Sequence, residues 1–84
     1  MKIYSFHHCD AWQSYSSMEL ANEYYPDTED GRRKLLKKIT TEIESGDVEL
    51  IGDIGFLNLD IYNGNIRNAN DRLKFGYINT MEAA

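Results

Sequence analysis

The chain has 84 residues, of which 42% are apolar and 27% charged, with a net charge of −5. These values describe one globular domain with a thin core rather than a disordered chain, one that buries about 60–65% of the surface its unfolded form exposes. A single cysteine, Cys9, excludes an internal disulfide and fits a reducing compartment, while the N-terminus lacks the apolar core of a secretion signal and no apolar run approaches the about 18–20 residues of a membrane helix.

Lys2 to Cys9 is rich in β-branched and aromatic residues and predicts a first strand. Period-two alternation puts Ile3, Ser5, His7 and Cys9 on one face and Tyr4, Phe6, His8 and Asp10 on the other. Both faces are mixed, so periodicity alone leaves the core side open. Asp10 to Ser17 is polar and serine-rich, a loop with Trp12 and Tyr15 as anchors. Met18 to Tyr25 predicts a second strand pairing back on the first, with a helix as the competing reading.

After Pro26 the signals converge. Asp27 or Thr28 can cap a helix whose first turn carries Glu29 and Asp30, suited to the positive end of its dipole. Leu35, Leu36, Ile39 and Ile43 form one apolar stripe, and Glu29–Arg33, Asp30–Lys34 and Lys38–Glu42 are opposite charges one turn apart. Gly46 suits the left-handed stop. The spacing therefore predicts a long amphipathic helix over about 29–45.

Val48 and Leu50, a tight turn at Gly52-Asp53, and then Leu57, Leu59 and Ile61 alternating with Asn58, Asp60 and Tyr62 read as further strands. Asn63-Gly64 marks a turn. Asn65 can cap a short helix over about 65–75 that ends at Gly76, and Tyr77 to Met81 predicts a final strand. The fold class is α+β, a small antiparallel sheet with one long and one short helix.

The densest set of reactive side chains is His7-His8-Cys9-Asp10, which holds every His and Cys of the chain. Imidazole, thiolate and carboxylate are zinc ligands. A strand turns neighbours to opposite faces, so at most two of the four can meet one ion, and the remaining ligands would be Asp or Glu from elsewhere. As a nucleophile pair, His7 and Cys9 share a face but stand about 6.5–7 Å apart along an ideal strand, too far for the base to activate the thiol. There is no Gly-rich phosphate loop and no Gly-x-Ser-x-Gly. No catalytic set, metal or cofactor is expected.

Five of the nine basic residues (Arg32, Arg33, Lys34, Lys37, Lys38) fall within seven positions, without interleaved aromatics. The reading is a solvated helix face, with Arg32, Arg33 and Lys37 available to an acidic partner. From Thr40 to Ile66 six acids (Glu42, Glu44, Asp47, Glu49, Asp53, Asp60) stand without a base, which admits mimicry of a phosphate backbone and argues against direct nucleic-acid binding. Six tyrosines and one tryptophan are available as interface anchors, Trp12 and Tyr15 foremost.

The opening HHCDAWQSYSSMEL and the closing NDRLKFGYI resemble a group of small proteins of Gram-positive bacteria, their phages and mobile elements, with an HHCD-x-W-x-S motif after a short N-terminal strand. Position 19 is Glu where that group carries a basic residue. The resemblance implies a setting, the host cytoplasm, in which such proteins occupy a host or defence-system protein, as anti-CRISPRs do. The leading expectation is a non-enzymatic, stoichiometric inhibitor. Its candidate contacts are Trp12, Tyr15, Glu42, Glu44, Asp47, Glu49, Asp53, Arg32, Arg33 and Lys37. The alternative is a nucleotide sponge or a metal-dependent hydrolase built on His7, His8, Asp10 and Trp12, for which a homodimer would help enclose the ligand.

Overall fold

The computed structural model describes residues 1–9 and 23–82. In chain order the elements are β1 (Lys2–His8), β2 (Tyr25–Pro26), α1 (Glu29–Ser45), β3 (Glu49–Leu50), α2 (Ile54–Tyr62), α3 (Ile66–Asp71), β4 (Leu73–Lys74) and β5 (Gly76–Glu82). The α+β class holds. One sheet has the order β2-β1-β5 with both pairings antiparallel, and β3 and β4 form a separate two-stranded ribbon.

The central strand β1 pairs along its whole length with β5, from Lys2 opposite Glu82 to His8 opposite Gly76. Its even-numbered face is the core side: Tyr4 and Phe6 are buried in one cluster with Leu35, Ile39, Leu57, Ile61 and Ile78. Helices α1 and α2 close over this face through residues one turn apart, Leu35 and Ile39 on one and Leu57 and Ile61 on the other. The outer edge of β5 is covered at one point by α3. There the buried Asn70 side chain donates to the Ile78 carbonyl (3.0 Å) and accepts from the Ile78 N–H (2.8 Å), replacing a neighbouring strand.

Helix α1 occupies the predicted span. Thr28 is its N-cap, accepting from the Gly31 N–H at 3.0 Å, and Gly46 is its left-handed C-cap with φ of 87°. Gly31 faces β2 so closely that a Cβ there would lie 2.0 Å from the Pro26 carbonyl oxygen. The first turn of α1 therefore packs backbone to backbone.

The second half departs from the strand reading. Residues 54–62, where Leu57, Leu59 and Ile61 alternate, are the helix α2. Asp53 caps it by accepting from the Gly55 N–H at 2.7 Å. Leu57 and Ile61, four apart, share its buried side, whereas Leu59 lies outside. Only Glu49 and Leu50 keep strand geometry. The short helix is also shorter than its predicted 65–75 span: α3 ends at Asp71, and Asn65 makes no side-chain cap bond. Its ending is not at Gly76. Phe75 takes the positive φ (69°), and Gly76 is instead a close-approach position where a Cβ would meet Phe6 Cζ at 2.5 Å. Of the predicted 18–25 strand, Tyr25 is in β2 and residues 18–22 lie outside the described residues.

Candidate functional site

Among the described residues, the sequence motif at the end of β1 does not converge on one site. His7 turns to the face opposite the core, where its Nε2 lies 2.8 Å from the Oγ of buried Ser5. His8 turns the other way, and its Nε2 lies 2.7 Å from Glu42 Oε2 in the last turns of α1. An ionised carboxylate only accepts, so the imidazole N–H is the donor. Cys9 is buried, and its backbone N–H donates to the Phe75 carbonyl at 3.1 Å. Asp10, Trp12 and Tyr15 lie outside the described residues. Among the described residues, the sponge or hydrolase set is thus split between the two faces of the sheet.

Glu42 gathers three groups. Its Oε1 accepts from Lys38 Nζ at 3.0 Å and its Oε2 from His8. Lys38's hydrogen bond holds the Glu42 carboxyl below the usual range; burial opposes this, and the His8 contact and both neighbouring charges reinforce it. Asp47 returns to the same place because the Gly46 turn folds the chain back, with the Asp47 and Val48 N–H groups both donating to the Glu42 carbonyl at 3.1 and 3.2 Å.

The basic face of α1 is largely neutralised from within. Arg33 reaches Glu29 (3.7 Å) and Asp30 (3.5 Å), and Lys34 reaches Asp30 at 3.2 Å. Arg32 pairs with Asp27, whose carboxyl also accepts from Tyr4. Burial alone would raise the Asp27 carboxyl, but the bonds from Tyr4 and Arg32 and the Arg32 and Lys2 charges bring it below its ordinary value. Among the described residues Lys37 makes no ion pair, and it is exposed. The acidic stretch is divided in the same way. Asp60 is held by Arg72 at 2.6 Å, Glu42 by Lys38 and His8, and Asp53 caps α2, whereas Glu44, Asp47 and Glu49 are exposed.

The surface that sequence reasoning missed is the outer side of α2. Phe56, Leu59 and Tyr62, spaced three apart, are 56%, 58% and 63% exposed, and Ile51 and Ile54 at the entrance of the helix are exposed as well. A helix of globular protein normally shows polar residues opposite its buried stripe. On α2 apolar residues stand on both sides. Arg72 connects this surface to α3's end, its guanidinium 5.1 Å over the Phe56 ring while it binds Asp60. The polar groups along the surface are the exposed Asp53 and Asn58 and the half-buried Asp60, which Arg72 neutralises.

Among the described residues no helix is long and apolar enough to cross a membrane. Compared with known proteins, the chain matches no family model, no curated protein and no solved structure.

Proposed function

We propose that this protein acts by binding another protein stoichiometrically, with the outer side of α2 as its main contact surface, and that the partner is a host or defence-system protein whose action the complex blocks. The observation that carries the reading is the stripe Phe56–Leu59–Tyr62, three large apolar side chains left in water on a nine-residue helix. Exposed apolar side chains clustered on one element and bordered by polar groups mark interaction sites. Phe and Tyr add large contact area at small entropic cost. Exposed Glu49 in the preceding strand and exposed Asp53 at the start of the helix suit a partner whose apolar groove has a basic rim at that end, because complementary charge steers encounter and fixes orientation. The host and defence setting is supported by the resemblance of the two chain ends to phage and mobile-element proteins.

The test is affinity capture of the tagged chain from bacterial lysate at moderate salt, in parallel with Leu59→Asp. The expected result is one protein retained at near-equal stoichiometry by the wild type, absent with the variant, and inhibited when the purified chain is added to it. Equal retention by both forms, or a retained protein whose activity is unaffected, would overturn the reading.

A further inference from the structure

His8 at the end of β1, Glu42 in the last turns of α1 and Asp47 just after the Gly46 turn bring their ligand atoms within 4.8 Å of one another. We propose that this cluster binds one divalent transition-metal cation of zinc type, with the His8 imidazole and the Glu42 and Asp47 carboxylates as its protein ligands and water completing the tetrahedron.

The backbone fixes each ligand before any ion arrives. His8 is the last residue of β1, held opposite Gly76 of β5, and the next residue is tied to Phe75 through Cys9 N–H. Glu42 sits three residues from the end of α1, and the Gly46 turn brings Asp47 back over it. The donor set is one nitrogen and two oxygens, which zinc accepts and which offers too few oxygens for calcium. Bonds of about 2.0–2.2 Å place tetrahedral ligands roughly 3.4 Å apart, so the His8–Glu42 hydrogen bond at 2.7 Å breaks on loading, the proton it carried leaving to the other ring nitrogen or to water, while Asp47 closes in.

The surroundings already have the form of an outer shell. Ser45 Oγ lies 3.0 Å from both the Glu42 carbonyl and Asp47 Oδ2, so its single proton is shared between them and the hydroxyl helps to place that carboxylate. The electrostatics favour a cation as well. The negative end of the α1 dipole points into this region, and the last turn of the helix contains no basic residue to balance it. Glu44 and Glu49 add charge of the same sign nearby in the chain. Lys38, one turn back, is the resident competitor, occupying Glu42 Oε1 at 3.0 Å. The site is independent of the α2 surface, so the failure of either proposal leaves the other standing.

The experiment is calorimetric titration of the chelator-treated full chain with Zn²⁺, supported by thermal melts and circular dichroism of each variant. One saturable site per chain is expected, with a rise in melting temperature on loading. Asp47 is exposed, so Asp47→Asn keeps the fold and weakens binding at least tenfold; His8→Ala removes saturable binding. Ser45→Ala loses roughly tenfold, as outer-shell partners do. Lys38→Met tightens binding, an outcome that a purely structural Lys38–Glu42 pair would not give, and His7→Ala leaves it unchanged. Absence of saturable uptake would overturn the proposal. So would uptake that survives both His8→Ala and Asp47→Asn, which would mean adventitious binding to surface carboxylates, or uptake lost with His7→Ala.

Discussion

Helices α1 and α2 pack side by side and bury their inner faces in the same cluster, yet their solvent sides differ in kind. On α1 much of the exposed charge is matched from within, Glu29 and Asp30 meeting Arg33 and Lys34 along the helix, and the inner stripe of Leu35 and Ile39 is fully buried. On α2 the inner pair Leu57 and Ile61 is equally buried, but Phe56, Leu59 and Tyr62 stay more than half exposed, even with Arg72 lying over the Phe56 ring. A charged surface can be internally complete at almost no gain in stability, since exposed ion pairs contribute little. An apolar surface cannot be completed by water. The contrast makes α1 a part of the architecture and is the reason α2 is proposed as the surface that meets another molecule.

The largest effects test the similarity of the two inner faces. Leu35→Ala and Leu57→Ala each remove a side chain that is 0% exposed, and each is expected to cost about 2–5 kcal/mol in urea unfolding. A markedly smaller loss for Leu57→Ala would mean that α2 is only loosely attached. The next effect lies in alkali, where burial, aided by Asp27 and Glu23 respectively, pushes the Tyr4 and Tyr25 hydroxyls from 10.0 up to about 12. Because the folded values are raised, their contribution is complete below pH 10 and lost as pH climbs toward 12. The loss is on the order of 2 kcal/mol per tyrosine, measured by unfolding at pH 9 and pH 12, and Tyr25→Phe should reduce it.

Acid acts on the α1 side. The Glu42 and Asp27 carboxyls are held below their ordinary values, so their contribution is present above the ordinary carboxylate range and disappears as pH falls through the folded values. Unfolding at pH 7 and pH 3 should show the decline, and Glu42→Gln should flatten part of it. An unchanged slope would mean that the His8–Glu42–Lys38 contacts do not hold in solution.

The smallest effects sharpen the difference between the outer faces. Arg33→Ala and Leu59→Ser are each expected to change stability by no more than about 0.5 kcal/mol. Partner binding should separate them, with Leu59→Ser impaired and Arg33→Ala nearly wild type.

The same contrast explains what the sequence made legible. For α1, a capping Thr28, acids in the first turn, one apolar stripe and a terminal Gly46 all agree locally, so its span could be read directly. For α2 the pattern Leu57, Leu59, Ile61 satisfies period two as well as it satisfies the helix. Only the Asp53 cap and the spacing of Leu57 and Ile61 decide between them. Reading Leu59 on one strand face with Leu57 and Ile61 hid its exposure on the outer side of the helix. The end strands were visible as segments, but the β1–β5 pairing joins the two ends of the chain and leaves no local trace. The His8–Glu42 contact spans 34 residues. For that reason the partners of the His-rich motif were beyond periodicity, although the residue types that could serve were not.

The most direct test of the account is amide hydrogen exchange of the chain alone and in complex with the protein it captures. Exchange in 54–62 should slow on binding while 29–45 stays as in the free chain. Protection confined to 29–45, with 54–62 unchanged, would contradict the assignment of α2 as the contact surface.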